Sequence, residues 1–177
     1  MIETFKILNE MVSEGAIGDY ALCGAMAAFR YIEPAATRDM DVTVDLPGVT
    51  AAILNFDRIV DFLNMHGLPV QWDEEGLDIA GVPVQFIPAG EALDRDALFH
   101  AEPVTEAGVT FKVWRIEHLM AKCVEVARPK DQLRLVEFLE RNYDRDKFCE
   151  LIARFELRDA WSRFCGKFDC EDFCGAA

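Results

Sequence analysis

The stretch LCGAMAAFRYIEPAATRDMDVTV, residues 22–44, decides the fold of this chain. An apolar run at residues 20–23 is consistent with a buried strand, and it stops at the small residues Gly24 and Ala25. Helix-forming residues follow until Pro34, and the residue before a proline avoids the helical region. The sequence therefore predicts a strand, a tight turn and a helix in direct succession.

The end of the stretch, DMDVTV at residues 39–44, alternates strictly between polar and apolar side chains. Because side chains in a strand point alternately to opposite faces, Asp39 and Asp41 share one face of a predicted strand. Two positions along a strand span about 6.6 Å, a separation at which two carboxylates can share Mg²⁺ bound to a phosphate tail. A solvated strand face alternates in the same way, so the two aspartates alone leave both interpretations open.

The turn before this strand has the properties of a phosphate-binding site. The first N–H groups of a helix have no acceptor within the helix, and the helix dipole adds positive charge at that end. Phosphates bind readily to such N–H groups. Gly24 and Ala25 carry no bulk that would exclude a triphosphate.

The rest of the first half is predicted to mix helices and strands. The predicted helices lie at residues 2–14, 50–65 and 91–99. Residues 69–72 and 82–88 are predicted to form a hairpin or two short strands, with a polar turn around 73–76. A second hairpin is predicted at 104–114, with its turn at Ala107-Gly108.

From residue 116 onward the sequence predicts four helices. Pro129 stops the first, Asp131 is suited to be the N-cap of the second, and the third starts near Asp144. The chain is therefore expected to be α+β, with an α/β core at residues 1–115 and a helical region at 116–177 packed on it as one compact unit.

The pattern around the two aspartates resembles the nucleotidyltransferase superfamily, whose fold is that of the DNA polymerase beta catalytic core. In that superfamily a strand ends in a Gly-Gly or Gly-Ser turn, a helix follows, and a strand with an Asp-x-Asp pair holds the metals. The sequence is most similar to the minimal and the abortive-infection type nucleotidyltransferases of toxin–antitoxin systems. In those proteins a threonine precedes the first aspartate by two positions, as Thr37 precedes Asp39 here. The resemblance implies a mixed, sandwich-like sheet.

A second stretch, HLMAKCVEVARPKDQLRLVEFL at residues 118–139, resembles a helical segment of the abortive-infection relatives. That segment has a lysine followed by an R-x-K/R-D motif, and the matching residues are Lys122, Arg128, Lys130 and Asp131. The resemblance implies that these cations reach the phosphates of the nucleotide.

Two residues depart from the superfamily pattern. Ala25 replaces the second small residue of the turn, so a hydroxyl is missing although the backbone N–H groups remain. A later strand of these proteins carries a third carboxylate, and the matching stretch VPVQFIP, residues 82–88, has Gln85 at that position. Glutamine is neutral and cannot act as a base. Asp45 lies too far along its strand from Asp41 to replace it, whereas the acidic residues at 73–78 could fold back towards the pair.

The composition of the chain limits the classes of function that it can have. The chain has 177 residues, a net charge of −14 and 51% hydrophobic residues, which suits one well-packed domain. The negative charge argues against broad nucleic-acid binding, although not against a local basic pocket or an RNA acceptor. No apolar run approaches the roughly 20 residues of a membrane span. A cytoplasmic protein is predicted.

The six cysteines are predicted to be reduced thiols. Cys23, Cys123 and Cys149 stand in apolar contexts and are expected to be small buried side chains. The other three, in FCGKFDCEDFC at residues 164–174, lack the paired CxxC spacing of a zinc ribbon. The three histidines show no spacing typical of metal ligands and are expected to have no catalytic role.

The resemblance implies Mg²⁺-dependent transfer of a nucleoside monophosphate from a nucleoside triphosphate to a hydroxyl of a protein or an RNA. The expected site residues are Asp39 and Asp41 for the metals and for catalysis, and Gly24, Ala25, Thr37, Lys122, Arg128 and Lys130 for the nucleotide. One alternative is a degenerate protein that binds nucleotide, or a regulatory or antitoxin-like partner of a toxin–antitoxin pair. Another is a scaffold in which the helical tail and its cysteines carry the function.

Overall fold

The computed structural model describes residues 1–34, 37–46, 56–72 and 76–175. The elements of the described residues are α1 (Ile2–Ser13), β1 (Asp19–Leu22), α2 (Gly24–Ala28), β2 (Met40–Asp45), α3 (Asp57–Met65), β3 (Leu77–Ile79), β4 (Val82–Pro88), α4 (Ala92–Phe99), β5 (Glu102–Glu106), β6 (Val109–Val113), α5 (Ile116–Val126), α6 (Pro129–Leu139), α7 (Arg145–Arg154) and α8 (Arg158–Phe168).

The strands form a mixed sheet in the order β3-β4-β2-β1-β6-β5. β2 pairs antiparallel with β1 and parallel with β4, and β1 pairs parallel with β6. The outer pairs, β3 with β4 and β5 with β6, are antiparallel hairpins. The predicted α+β architecture with a mixed sheet is confirmed.

The chain divides into two compact units. The first contains Met1–Phe29 and Pro34–Trp114, and the second contains Arg30–Glu33 and Arg115–Ala177. The sheet and helices α1 to α4 belong to the first unit, and helices α5 to α8 belong to the second.

The core of the first unit forms on the apolar face of β2. Met40, Val42 and Val44 are fully buried, as the alternation of the strand predicts. Along α1, Phe5 stacks on Phe111 of β6 with ring centroids 3.8 Å apart, and Leu8 is fully buried. β2 is therefore held in the centre of the sheet, with strands on both sides.

The α2 helix is shorter than predicted. It ends at Ala28, five residues before the helix boundary expected at Glu33. The segment Arg30–Glu33 groups with the second unit instead, where the ring of Tyr31 packs edge-on against Phe138 at 6.4 Å. Tertiary packing thus overrides the helix-forming residues that follow Ala28.

The first hairpin turns at a different place from the predicted one. Ala80 and Gly81 both have positive φ, 56° and 80°, and join β3 to β4. Such a two-residue turn matches the twist of a hairpin. Trp72 makes a single bridge to Leu77. Residues 73–75 of the polar turn predicted at 73–76 lie outside the described residues, as does the 50–55 part of the α3 prediction. The second hairpin turns at Ala107-Gly108, as predicted.

The second unit is a set of helices around an aromatic cluster. Trp161 packs on Phe148 and Phe164 with centroid distances of 5.1 and 5.6 Å. Asp144 is the N-cap of α7, where its side chain accepts a hydrogen bond from the Lys147 N–H, and this confirms the predicted helix start. No helix of the described residues is both apolar enough and long enough to span a bilayer.

The prediction for the cysteines is partly wrong. Cys23 and Cys123 are buried free thiols, as expected. Cys149 and Cys174, however, form a disulfide that links α7 to the segment after α8. Disulfides are rare in cytosolic proteins, and the cytoplasmic location stays a prediction.

Candidate functional site

The two aspartates lie at the start of the central strand β2. Asp41 is the second residue of the strand and Asp39 immediately precedes it, and both are half-buried. The face they occupy also carries Thr43, which is buried, whereas Asp45 at the far end is exposed. The polar face of β2 is therefore open to solvent at Asp39 and Asp41 and covered at Thr43.

The side chain of Asp41 packs directly on the turn that precedes α2. Gly24 has φ +63°, and a Cβ added there would contact the Asp41 carboxylate and lie 2.8 Å from its Cγ. The Cys23 N–H donates to the Asp41 carbonyl oxygen at 2.9 Å. Two features therefore require glycine at position 24: the left-handed backbone and the close approach of the Asp41 carboxylate.

The N-terminal end of α2 faces this contact without a side-chain cap. Cys23 is the N-cap residue, and its side chain makes no hydrogen bond to the helix. Since the first N–H groups of a helix have no acceptor within the helix, those of Gly24 and Ala25 are the donors that the sequence assigns to phosphate. α2 itself has only five residues.

The hydroxyl of Thr37 donates a 2.6 Å hydrogen bond to Oδ1 of Asp39. A charge-assisted bond of this length fixes the orientation of a carboxylate. The structure therefore connects Thr37 to the aspartate pair.

Gln85 is the direct neighbour of Asp41 in the sheet. In the parallel pairing of β2 with β4, Asp41 is in register with Gln85 and Val42 with Phe86. Paired residues on adjacent strands share a face, and the Gln85 side chain is exposed. The carboxamide thus occupies the position beside the aspartate pair.

The other acidic residues considered as substitutes for the third carboxylate lie elsewhere. The carboxylate of Asp78 accepts a 2.9 Å hydrogen bond from the Gly81 N–H and caps the β3–β4 turn. Asp45 lies against Gly18 at the opposite end of β2. Residues 73–75 are outside the described residues.

One acidic residue near this site is not predicted from the sequence. Asp94 of α4 is buried, and α4 packs on β1 and β2. Burial raises the pKa of the Cys23 thiol to about 12, and the carboxylates of Asp41 and Asp94 both act in the same direction. Cys23 therefore lies within electrostatic range of both carboxylates. No motif around Asp94 indicates this position in the sequence.

The predicted phosphate-binding cations belong to the second unit. Lys122 of α5 forms an ion pair with Glu125 at 2.7 Å. Arg128 precedes α6, and its Nε donates to Oδ2 of the buried Asp131 at 2.6 Å. Lys130 is exposed in the first turn of α6.

The assignment of Asp131 as an N-cap is wrong. Arg128 is the N-cap residue of α6, and Pro129 is its first residue. Proline suits that position because its fixed φ is helical and its missing N–H would have no partner there. The helix thus begins three residues earlier than expected, and Asp131 forms an ion pair within the first turn instead.

Comparison with known proteins supports the fold. No protein-family model and no curated protein sequence matches this chain. Among solved structures, it is similar to an antigenic nucleotidyltransferase-like protein from Paracoccidioides brasiliensis, with a TM-score of 0.56 and 14% sequence identity over 93% of this chain and 88% of that one. The mixed sheet with its helices is the nucleotidyltransferase fold.

Two structures of the antibiotic-resistance factor ANT(2'')-Ia also match. Its solution structure has a TM-score of 0.45 at 11% identity, over 95% of this chain and 92% of that one. A crystal structure in complex with adenylyl-2''-tobramycin has a TM-score of 0.44 at 14% identity, over 92% and 95% of the two chains.

Proposed function

We propose that this protein is a Mg²⁺-dependent nucleotidyltransferase that transfers a nucleoside monophosphate from a nucleoside triphosphate to a hydroxyl of a protein or an RNA. The observation that carries the proposal is the contact between Gly24 and Asp41. In a nucleotidyltransferase fold, this contact joins the turn assigned to the phosphates to the strand assigned to the metals.

The donor set of the aspartate pair fits Mg²⁺. Magnesium is usually held by one or two carboxylates together with substrate phosphates, because it keeps several waters and needs few protein ligands. Asp39 and Asp41 are both half-buried, so they are reachable from solvent. When bound, Mg²⁺ supplies charge neutralisation for the triphosphate.

The residues of the chain would position the reactants and balance their charge. Thr37 holds the Asp39 carboxylate in one orientation, and Gly24 allows the phosphate turn to lie against Asp41. The resemblance assigns the neutralisation of the phosphate tail to Lys122, Arg128 and Lys130. Phosphoryl transfer depends mainly on such positioning and electrostatic stabilisation.

Gln85 favours a second candidate function. A glutamine beside Asp41 can accept and donate hydrogen bonds, but it cannot take the proton of an attacking hydroxyl. A protein with this residue could bind Mg²⁺ and nucleotide without turnover, as a regulatory or antitoxin-like partner of another protein.

Transfer of a labelled nucleotide separates the two candidates. The protein would be incubated with Mg²⁺ and each nucleoside triphosphate labelled at the α-phosphate, with its own chain, total protein and total RNA as acceptors. We expect labelled acceptor with the wild type and with Asp45→Asn, a matched carboxylate on the same strand, and none with Asp41→Asn. Mg²⁺-dependent binding without any transfer would support the second candidate instead, and the absence of nucleotide binding would contradict both.

A further inference from the structure

The end of α8 brings two free cysteines together. Asp169, the C-cap of α8, has a left-handed backbone with φ 51°. The Cys170 N–H then donates to the Cys165 carbonyl oxygen at 3.1 Å. A six-residue turn of this kind reverses the chain at a helix end and places its first and last residues side by side.

The side chains of these two cysteines are also neighbours. The Cys165 and Cys170 thiols lie within electrostatic range of each other, and the Cys165 thiol donates to the Glu171 carbonyl oxygen at 3.6 Å. The Cα atoms of a disulfide lie about 4.4–6.8 Å apart, and the backbone hydrogen bond between Cys165 and Cys170 holds the two residues close enough to suit that spacing.

The two thiols differ in access. Cys165 is buried, whereas Cys170 is half-exposed. Burial, the largest cause, and the neighbouring Cys170 hold the pKa of the Cys165 thiol at about 12, well above its ordinary value. Cys170 is therefore the thiol that meets a reagent from solvent, and Cys165 is the partner that stays protonated until it reacts.

The surrounding segment is already cross-linked. Cys174, four residues after Cys170, is bonded to Cys149 of α7, and the ring of Phe173 between them packs on Trp161 at 5.1 Å. The chain after α8 is therefore held against the helices, so Cys170 is kept near Cys165 and does not move freely.

We propose that Cys165 and Cys170 are a redox-active pair that closes into a second disulfide when it meets a low-molecular-weight disulfide such as oxidised glutathione. The Cys170 thiolate attacks one sulfur of the reagent, forms a mixed disulfide and releases one thiol. Cys165 then loses its proton, attacks the Cys170 sulfur and releases the second thiol. One reagent disulfide is reduced to two thiols, and the protein loses two hydrogens.

The closed pair would fasten the segment after α8 to the helix itself, beside the link to α7. This inference concerns the second unit alone and is independent of the proposed nucleotidyl transfer.

Alkylation of thiols tests the pair directly. The full-length protein would be incubated with reduced or oxidised glutathione, quenched in acid, unfolded, treated with a maleimide mass tag and mapped by mass spectrometry. We expect four tagged cysteines after reduced glutathione and two, Cys23 and Cys123, after oxidised glutathione. The mapped peptide should contain a bond between Cys165 and Cys170.

Two variants make the result specific. Cys165→Ala should leave a stable glutathione adduct on Cys170, because the resolving thiol is missing, and Cys170→Ser should keep Cys165 tagged under oxidation. If the wild type keeps four tagged cysteines, retains the glutathione adduct as Cys165→Ala does, or bonds Cys170 to Cys174, the proposal is overturned.

Discussion

Replacing Gly24 by alanine should disrupt the contact between the turn before α2 and the Asp41 carboxylate. The new Cβ would lie 2.8 Å from Cγ and 2.9 Å from Cβ of Asp41, closer than side-chain atoms pack, and it would also contact the carboxylate oxygen. Since Gly24 has φ +63°, alanine there has an additional backbone cost. Both effects destabilise the folded state.

The expected loss of stability in Gly24→Ala is the sum of the backbone cost and the cost of the steric contact. A left-handed backbone costs a residue other than glycine about 1–2 kcal/mol, and overpacking costs about 1–3 kcal/mol. Gly67 is a matched control, because it has φ +65° and no atom within 4 Å of an added Cβ. The free energy of unfolding should therefore fall only by the backbone cost in Gly67→Ala, and by about 1–3 kcal/mol more in Gly24→Ala.

Urea unfolding followed by far-ultraviolet circular dichroism measures both losses. A double-mutant cycle with Asp41→Ala assigns the extra loss to the contact, since removal of the carboxylate should recover about 1 kcal/mol of it. Equal stability of Gly24→Ala and Gly67→Ala, or no recovery of stability with Asp41→Ala, would contradict a steric contact at this position.

Three further predictions concern the site and the buried thiols. Gln85→Asp should raise the rate of nucleotidyl transfer in the labelling assay by restoring a carboxylate beside Asp41; an inactive variant that still binds nucleotide would show that Gln85 is not the limiting residue. Thr37→Val should weaken Mg²⁺–nucleotide binding by about 1 kcal/mol, roughly fivefold, through loss of the hydrogen bond to Asp39; titration calorimetry that shows unchanged affinity would exclude this role. Burial raises the pKa of the Cys23 and Cys123 thiols to about 12. Above about pH 8.5 the unfolded chain loses protons that the folded state keeps. The free energy of unfolding should therefore fall by about 1.4 kcal/mol per pH unit for each thiol in that range. Urea unfolding at stepped alkaline pH measures this slope, and Cys123→Ala should reduce it by about 1.4 kcal/mol per pH unit, the contribution of one thiol.

The sequence predicts β2 well because the alternation of a strand depends on local pattern. Met40, Val42 and Val44 face the core, and Asp39 and Asp41 face away, as a period of two requires. The pairing of Asp41 with Gln85 is different, because periodicity does not determine which strands become neighbours. Only the resemblance to nucleotidyltransferases indicated that position.

Other features depend on contacts that no local signal contains. α2 ends at Ala28 because Arg30–Glu33 groups with the helical unit rather than with its own helix. The disulfide between Cys149 and Cys174 joins residues 25 positions apart, and cysteine spacing does not determine connectivity. Asp94 comes near the site through the packing of α4 on β1 and β2, which its own sequence context does not indicate.

The start of α6 shows a competition between two local signals. Asp131 is a good N-cap residue, but Pro129 is an equally good first residue of a helix, and the two assignments exclude each other. The structure follows the proline. Asp131 is then inside the helix, where its carboxylate pairs with Arg128.

Calorimetric titration of nucleoside triphosphate into the wild type, Asp41→Asn and Asp45→Asn, each with and without Mg²⁺, measures whether the aspartate pair holds a Mg²⁺–nucleotide complex. Asp45 is the matched control because it lies on the same strand but at the opposite end from Asp39. We expect Mg²⁺-dependent binding by the wild type and Asp45→Asn, and its loss in Asp41→Asn without loss of the fold. Equal binding by all three proteins, or no binding by the wild type at millimolar nucleotide, would contradict this expectation.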